Sequence, residues 1–343
     1  MSKSIYILGT SPNSIINFRG DLIQLLKSKG INVTAVSSIS DAKSLRNIVQ
    51  LGAEYKDIYL KRNNLNLIDD IKTLSSLLSL FRSKKPPHLI LAYGVKLVVW
   101  GGLSARITSI PFFALITGLG FAFQGESLKR KLLTKLVVFL YKLALKNSKS
   151  VIFQNEDNLN IFVDKGIVPR FKTHVVNGSG VDIKKYCVVD FPKGDIRFLC
   201  ISRLLGEKGL REYAQAAKIV RDQFPNVEFD LVGQTDPSLD AIPLSEVDSW
   251  SSYINYKGST YDVCDYISNS HIYVLPSYHE GLPRSTLEAM SMGRPVITTN
   301  AVGCKETVED GVNGFKVPVK SVGELAEKMI WFVENSDQVK KMG

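Results

Sequence analysis

The sequence predicts an α/β protein built from two parallel-sheet domains, and three observations support this prediction. Strand-like apolar runs alternate with helix-length segments, the alternation occurs twice, and a polar, glycine-rich stretch separates the two series. At 343 residues with 45% apolar content, the chain can bury two separate cores. The expected domains cover residues 1–186 and 187–343.

The apolar runs define the expected strands in order. They are SIYILGT, NVTAVSS, HLILAYG, FFALITG and SVIFQN in the first domain, and RFLCISR, EFDLVG, IYVLPS and PVITTN in the second. A loop with the sequence SPNSIINFRG is expected after the first run, in place of the G-x-G-x-x-G turn that opens a dinucleotide-binding unit. The sequence therefore disfavours a dehydrogenase.

Two glutamates form the most informative local pattern. Glu280 and Glu288 bracket the run EGLPRSTLE, which follows a strand-like segment and opens a helix-like one. A helix start attracts phosphate because its backbone N–H groups are unsatisfied. Carboxylates at the same place suit sugar and ribose hydroxyls, so the pattern indicates a nucleotide-sugar site. The alternative is that Glu280 complements the helix dipole and Glu288 is a solvated helix residue.

A second strand, loop and helix, FLCISRLLGEKGLREYAQAAKIV, carries Arg203 and Lys208 in its loop. In an open parallel sheet the loops at the carboxyl ends of the strands share one crevice, so these cations are expected to face the same ligand as the glutamates. Arg203 would bind phosphate bidentately, and Lys208 would act as a point charge. Solvated surface cations are the alternative.

Several segments together resemble retaining family 4 glycosyltransferases, in particular the branch that elongates undecaprenyl-diphosphate-linked sugars of capsules, O-antigens and other bacterial glycans. They are SRLLGEKG, PSYHEGLPRSTLEAMSMGRPVITTNAVGCKETVEDGVNGFKVP, NFRGDLIQLLKSKG, ITGLGFAF, VIFQNEDN and NGSGVD. The resemblance covers nearly the whole chain. It implies the GT-B architecture, in which two Rossmann-like parallel-sheet domains face each other across a cleft.

The resemblance also implies roles for the four charged residues. Glu280 would contact hydroxyls of the transferred sugar, and Glu288 would hold the ribose. Arg203 and Lys208 would stabilise the departing diphosphate. Members of this family retain the anomeric configuration, and the leaving phosphate oxygen is thought to take the acceptor proton, so no protein nucleophile is required.

Five further residues are matched to the donor site by the resemblance. The backbone of Gly281 and Leu282 would hold phosphate at the helix start, where the following proline has no N–H to donate. Gly233, Lys257 and Gly258 would line the base pocket, although these matches are looser.

The first domain contributes four candidate residues. Many relatives place a histidine where this chain has Thr117, before Gly118, and a threonine hydroxyl at that position could still hydrogen-bond the sugar or the phosphate. The alternative is that ITGLG is only a tight turn from strand to helix. Asn17 and Arg19 are candidate contacts for the acceptor diphosphate, the alternative being a helix cap at Asn17 and a solvated Arg19.

Charge is divided unevenly along the chain. Residues 1–190 contain 27 Lys and Arg against 12 Asp and Glu, a net charge of +15, whereas residues 191–343 contain 16 against 21, a net charge of −5. A basic first domain suits an anionic membrane surface. The chain has no zinc-ligand pattern, basic arm or aromatic-rich signature typical of nucleic-acid binding, so no nucleic-acid partner is expected.

The segment ESLKRKLLTKLVVFLYKLALKNSK concentrates this basic character on a predicted helix that could lie on a membrane. Its lysines are expected on one face and its leucines on the other, and the alternative is that the leucines pack on the sheet while the lysines face water. The lysines are Lys131, Lys135, Lys142, Lys146 and Lys149, and the leucines are Leu132, Leu133, Leu136, Leu140 and Leu143.

Metal and cofactor signatures are not found in the sequence. It contains no D-x-D triplet and no histidine or cysteine spacing typical of a metal site, so catalysis without a metal or cofactor is expected. The four scattered cysteines predict free thiols in a reducing compartment. No apolar stretch reaches the roughly 20 residues that span a bilayer, so we expect a cytoplasmic protein peripherally associated with the inner face of the plasma membrane.

These observations and the resemblance predict retaining transfer of a sugar, with N-acetylhexosamine favoured, from a UDP-sugar to a lipid-diphosphate-linked saccharide. A UDP-sugar 2-epimerase on the same fold is one alternative, although those enzymes lack the spacing and flanks of the two glutamates. A catalytically silent nucleotide-sugar-binding protein is the other, and Thr117 is its main support.

Overall fold

The computed structural model describes residues 3–38, 42–61, 66–119, 128–238, 240–260 and 262–343. The chain forms two compact units, residues 1–179 and 180–343. The boundary lies after residue 179, whereas the sequence placed it after residue 186. The reason is that Val181 and Tyr186 pack in an apolar cluster of the second unit, where the Ser291 hydroxyl donates to the Tyr186 carbonyl.

The first unit alternates strands with helices. Its strands are β1 (Ser4–Leu8), β2 (Asn32–Ser37), β3 (Glu54–Asp57), β4 (Leu89–Tyr93), β5 (Phe112–Ile116), β6 (Ser150–Phe153) and β7 (Thr173–Val175). Its helices are α1 (Pro12–Ser28), α2 (Ala42–Gln50), α3 (Leu67–Phe81), α4 (Val95–Ile107), α5 (Leu128–Leu145) and α6 (Glu156–Asp164).

These strands form one parallel sheet in the order β3-β2-β1-β4-β5-β6-β7. Helices cover both faces, and each face has its own apolar core. The strand order reverses between β1 and β4, and such reversal points are where ligands bind in open α/β sheets.

The second unit repeats the pattern. Its strands are β8 (Arg197–Ile201), β9 (Glu228–Val232), β10 (Asn255–Tyr256), β11 (Ile272–Leu275), β12 (Val296–Thr299) and β13 (Gly314–Val317). Its helices are α7 (Leu210–Gln223), α8 (Leu244–Asp248), α9 (Cys264–Ser268), α10 (Arg284–Ser291), α11 (Val322–Glu334) and α12 (Ser336–Met342). The parallel sheet has the order β10-β9-β8-β11-β12-β13, so its reversal point lies between β8 and β11.

The predicted fold class of two parallel-sheet α/β units is confirmed, and every strand predicted from an apolar run is present. Four short strands were not predicted: β3, β7, β10 and β13. They are the outer strands of the two sheets as the described residues define them. An outer strand is covered less completely than a central one, so it does not need a continuous apolar run. None of the four is buried along its whole length, whereas all of β11 and β12 is.

Helix α5 differs from the expectation that its five leucines share one face. Leu132 is 70% exposed and Leu136 is 53% exposed, whereas Tyr141 and Leu145 are buried. Leu133, Leu140 and Leu143 are half-buried, and the five lysines are exposed as expected. Because successive residues are about 100° apart around a helix, Leu132 and Leu136 lie on the side opposite Tyr141. Within the described residues, no helix is long and apolar enough to cross a membrane.

Candidate functional site

The charged candidates of the second unit lie at the carboxyl edge of its sheet, at the reversal point. Arg203 and Lys208 follow β8, and Glu280 follows β11, which is the neighbour of β8 in the sheet. Parallel strands place both loops at one edge. The prediction from sequence that these two loops meet is therefore confirmed.

Backbone contacts hold the two loops together. The Tyr278 N–H donates to the Glu207 carbonyl at 2.9 Å, and the Ser277 hydroxyl donates to the same oxygen at 3.3 Å. Gly209 has a left-handed φ of 69°, and a Cβ there would lie 2.0 Å from the Pro276 carbonyl oxygen. Glycine is required at this position because any side chain would separate the loops.

The joined loops bring Lys208 onto Glu280. The Lys208 Nζ donates to Glu280 Oε1 at 2.7 Å, and the two side chains are only 11% and 18% exposed. The Glu280 N–H donates to the Val302 carbonyl at 2.9 Å. Gly303 packs against this segment with a φ of 84°, and a Cβ there would lie 2.3 Å from the Glu280 carbonyl oxygen. The loop that carries Glu280 is thus held on one side by the loop of Lys208 and on the other by the segment at Val302 and Gly303.

Glu288 occupies the helix that follows this loop, on its buried side. Arg284 Nε donates to Glu288 Oε1 at 2.8 Å, and Glu288 is 8% exposed. Burial raises the pKa of Glu288, while the Arg284 charge and hydrogen bonds from Arg284 and Tyr186 oppose the rise. The alternative of a solvated helix residue is therefore wrong.

The other alternative, that Glu280 complements the dipole of this helix, also needs correction. Helix α10 begins at Arg284, so Glu280 lies in the preceding loop and not in the first turn. Pro283 occupies the N-cap and provides no side-chain hydrogen bond to the first turn. Gly281 is buried and Leu282 is half-buried, directly before this helix start, where the sequence placed a phosphate.

Arg203 has a partner, Asp236, that was not predicted from the sequence. Its Nη1 donates to Asp236 Oδ2, and the Asp236 side chain is 6% exposed. Burial raises the pKa of Asp236, but hydrogen bonds from Ser238 and the charge of Arg203 outweigh it, and the pKa lies below its usual value. Asp236 follows β9 and so lies at the same carboxyl edge. Arg203 was predicted from its position in a loop after a parallel strand, and the same position would have indicated Asp236.

The candidates for the base pocket form a small cluster that is joined by a backbone hydrogen bond and close packing. The Gly233 N–H donates to the Gly258 carbonyl at 2.8 Å, and a Cβ at Gly233 would lie 1.8 Å from the Ser202 carbonyl oxygen. Lys257 Nζ lies 3.4 Å from Asp230 Oδ1 and its side chain is 39% exposed. These residues hold the turns after β9 and β10 close to the turn after β8, which is a structural role in itself.

The first unit places its candidates at its own reversal point and beside it. Thr117 and Gly118 follow β5 and are half-buried. Gly118 has a φ of 154°. The remainder of the motif from residue 120 to residue 123 lies outside the described residues.

Asn17 and Arg19 lie within helix α1, and not in the loop that the sequence predicted. The N-cap is Ser11, whose hydroxyl accepts from the Ser14 N–H at 3.2 Å, so Asn17 is not the cap. Asn17 is exposed. Arg19 is 5% exposed, which overturns the alternative of a solvated side chain.

Arg19 instead braces the carboxyl edge of the first sheet. Its Nη1 donates to the Phe18 carbonyl at 2.6 Å and to the Ser179 hydroxyl at 2.9 Å. Its guanidinium carbon lies 4.9 Å from the centroid of the Tyr93 ring, at the end of β4. Arg19 therefore ties α1 to the strand end and to the chain after β7.

The cysteines do not contribute paired or metal-like chemistry. All four are free thiols, as predicted. Cys304 is buried close to Glu280, and burial together with that negative charge raises its pKa to about 12. It is a neutral packing residue beside the ion pair.

Comparisons with known proteins match this chain to glycosyltransferases. Residues 195–335 match the family described as Glycosyl transferases group 1. The chain is 27% identical over 336 residues to N,N'-diacetylbacillosaminyl-diphospho-undecaprenol alpha-1,3-N-acetylgalactosaminyltransferase of Campylobacter jejuni, covering 94% of this chain and 87% of that protein. It is 27% identical to UDP-Gal:alpha-D-GlcNAc-diphosphoundecaprenol alpha-1,3-galactosyltransferase of Escherichia coli, covering 78% and 71%. It is 26% identical to the capsular polysaccharide biosynthesis glycosyltransferase CapM of Staphylococcus aureus, covering 96% and 88%.

Solved structures show the same fold. Sucrose-phosphate synthase from Thermosynechococcus elongatus matches with a TM-score of 0.80 at 18% identity, covering 99% of this chain and 92% of that one. Anabaena HepE in complex with UDP-glucose matches with a TM-score of 0.72 at 19% identity, with the same coverage. The fold is GT-B, and the match to the group 1 glycosyltransferase family falls within the unit that carries Lys208 and Glu280.

Proposed function

We propose that this glycosyltransferase transfers an N-acetylhexosamine from a UDP-sugar to an undecaprenyl-diphosphate-linked saccharide, with retention of configuration, in bacterial surface glycan biosynthesis. The observation that supports this most is the pairing of Lys208 with Glu280 at the reversal point of the second sheet. The related enzymes named for lipid-diphosphate-linked acceptors supply the acceptor class.

The donor site follows from the charges at the β8 and β11 loops. An ammonium has three N–H donors, so a Lys208 that donates one to Glu280 keeps others for a phosphate oxygen. Arg203 adds a second cation from the same loop, and the start of α10 offers backbone N–H groups to the diphosphate. Glu280 accepts from a sugar hydroxyl and Glu288 from the ribose, with the backbone of Gly281 and Leu282 between them.

The proposed reaction needs no protein nucleophile. The bond between the anomeric carbon and the diphosphate oxygen breaks, and the acceptor hydroxyl oxygen bonds to that carbon on the same face. The acceptor proton passes to the leaving phosphate oxygen, whose developing charge Lys208 and Arg203 stabilise. Fixed cations and a helix start thus supply the electrostatic stabilisation that other enzymes obtain from a metal.

The proposed acceptor contacts lie in the first unit. Asn17 is exposed on α1 and can reach a bound ligand directly, whereas the buried Arg19 acts by fixing the strand ends around it. Thr117 and Gly118 follow strand β5 and act on the donor instead: the Thr117 hydroxyl hydrogen-bonds the transferred sugar or its phosphate, and Gly118 belongs to the donor site. Because the proposed acceptor is a membrane lipid, we also propose that the enzyme works peripherally at the inner face of the plasma membrane.

A panel assay tests the proposal. The protein is incubated with UDP-N-acetylglucosamine, UDP-N-acetylgalactosamine, UDP-glucose or UDP-galactose, together with a short-chain lipid-diphosphate-sugar in detergent. With an acetamido donor, we expect the enzyme to release UDP and to extend the acceptor by one sugar, even when a chelator is present. NMR should show that the new linkage is α. Glu280→Gln is the inactive control, and Lys218→Gln, on the exposed face of α7, is the matched active one.

Three other outcomes would contradict the proposal. An interconverted donor sugar without acceptor extension would indicate an epimerase. Tight binding of UDP-sugars without turnover for any acceptor would indicate a silent binding protein. Activity restored only by a divalent cation would refute the proposed use of fixed cations.

A further inference from the structure

Two helices on one side of the first unit expose apolar side chains, at the start of α3 and from Leu132 to Phe139 in α5. Helices α3 and α5 both pack against α4, and all three contribute to one apolar core on the same face of the sheet. In a parallel α/β unit each helix runs back against the strand direction, so the starts of α3 and α5 lie along the carboxyl edge of the sheet.

Helix α5 presents an apolar stripe that its own packing does not use. Leu132, Leu136 and Phe139 are 70%, 53% and 56% exposed. Their spacing places them on one side of the helix, opposite the buried Tyr141 and Leu145. The stripe is therefore additional to the side chains that hold the helix on the sheet.

Lysines flank this stripe. Lys131, Lys135 and Lys142 are exposed, and at about 100° per residue they lie along one border of the stripe formed by Leu132, Leu136 and Phe139. Apolar side chains bordered by cations are the composition of helices that lie in a lipid interface.

Helix α3 extends the surface along the same edge. Leu67, Ile68 and Ile71 are 67%, 63% and 56% exposed. Asp69 and Asp70 in the first turn of α3 would repel an anionic partner, but each is paired with a lysine that neutralises its charge. Asp69 lies 3.4 Å from Lys61 Nζ, and Asp70 lies 2.9 Å from Lys96 Nζ.

We propose that these exposed side chains of α3 and α5, here called the apolar edge, bind the headgroup region of an anionic phospholipid bilayer. Apolar side chains of such a surface enter the interface, and each lysine adds attraction to anionic lipid. A second copy of the chain is a poorer occupant, because its lysines would face the lysines of the first. The net charge of +15 on residues 1–190 favours anionic lipid in the same way. The role of this surface in catalysis rests on the proposed function, because it requires a lipid-linked acceptor. The exposure of its side chains does not depend on that proposal.

Vesicle flotation tests the proposal. The full chain is mixed with vesicles of phosphatidylcholine alone or with vesicles that also contain about 30% phosphatidylglycerol, whose charge gives the bilayer a negative surface potential. We expect binding to the anionic vesicles that weakens in high salt. Leu136→Gln with Phe139→Gln should lower the partition coefficient at least about tenfold. Lys131→Gln, Lys135→Gln and Lys142→Gln combined should lower it about 100-fold.

The same unit supplies matched controls at its opposite edge. Ile107 ends α4 and is 55% exposed, and Lys84 and Lys85 are exposed just after α3. Ile107→Gln, and Lys84→Gln with Lys85→Gln, should bind as the parent does. Circular dichroism and thermal melting show that each variant is folded.

The outcomes separate this proposal from the proposed function. Variants of the apolar edge should keep the parental rate on a detergent-dispersed acceptor. If transfer fails in the parent while vesicle binding behaves as described, the proposed function is wrong and the apolar edge stands. Equal vesicle binding by the α5 variants and Ile107→Gln would overturn the apolar edge. So would a change in oligomer size, measured by light scattering, without a change in vesicle binding.

Discussion

Both sheets reverse their strand order beside their first strand, between β1 and β4 in the first unit and between β8 and β11 in the second. A nearly buried cation lies at each reversal point. In the first unit Arg19 contacts a carbonyl, a hydroxyl and an aromatic ring. In the second unit Lys208 contacts a carboxylate.

This difference indicates a structural role for Arg19 and a role in the reaction for Lys208. Arg19 joins α1 to the ends of β4 and β7, so its removal should loosen the fold around the proposed acceptor. Lys208 and Glu280 form a charged pair that can share its hydrogen bonds with a phosphate and a hydroxyl at once. Substitution of Lys208 should therefore alter mainly the rate of transfer, and substitution of Arg19 should alter stability and acceptor affinity.

Lys208→Met should give the largest effect. Loss of a fixed cation beside the departing diphosphate should lower kcat about 100- to 1,000-fold. The variant should remain folded at the assay temperature. Lys218→Met is the control, because Lys218 forms an exposed pair with Asp222 at 3.1 Å on α7. The measurement is UDP release with saturating acceptor. A kcat within twofold of the parent for Lys208→Met would remove the basis for the comparison.

Gly303→Ala should destabilise the loop that carries Glu280. Its Cβ would lie 2.3 Å from the Glu280 carbonyl oxygen, whereas a Cβ at Gly311, with a similar positive φ, would meet open space. Gly311→Ala should cost about 1 kcal/mol from backbone strain alone, and Gly303→Ala about 1 to 3 kcal/mol more. Urea unfolding gives both free energies. Equal losses would show that the close packing on Glu280 is unimportant.

Arg19→Lys sharpens the comparison from the side of the first unit. It keeps the charge but loses the planar group that meets Ser179 and Tyr93, so the free energy of unfolding should fall by about 1 to 3 kcal/mol. The KM for the acceptor should rise while the KM for the donor stays constant. Arg46→Lys is the matched exposed control on α2. A rise in the donor KM alone would contradict the proposed role.

Asp236→Asn should give the smallest effect, and one that depends on pH. The pKa of Asp236 lies below its usual value in the folded protein, so its stabilisation is fully present above about pH 4 and is lost as pH falls through the folded pKa. Because Arg203 is one-third exposed, the variant should lose no more than about 1 kcal/mol at pH 7. Unfolding midpoints from pH 7 to pH 2.5 should converge with the parent at the acid end. A constant difference would exclude the ionised pair as its cause, and Asp222→Asn is the exposed control.

The sequence predicted the central strands but not the outer ones, and the reason is burial. Central strands such as β11 are covered on both faces and must be apolar throughout, so their pattern is visible in the sequence. Outer strands such as β3 are mostly exposed and read as loop. The loop positions of Arg203, Lys208 and Glu280 followed from the central strands, because those strands fix which loops share an edge.

Contacts between distant segments could not be predicted. Nothing in the spacing of Arg203 and Asp236 shows that they pair, because their meeting depends on the path of the chain after β9. The assignment of all five leucines of α5 to one face was wrong for a related reason. A helix that has apolar residues all around does not reveal which side packs on the sheet.

The sequence by itself determined the two α/β units and the loop positions of the glutamate and cations of the second one, because the periodicity that marks strands and helices is a local property of the chain. The strand order of each sheet, and with it the reversal point, was set by the tertiary structure. Only the tertiary structure decided which charges pair, that Arg19 and Glu288 are buried, and which apolar side chains of α3 and α5 remain exposed. Those outcomes depend on the area that each side chain loses to its neighbours, and that area is defined only when all the elements are in place.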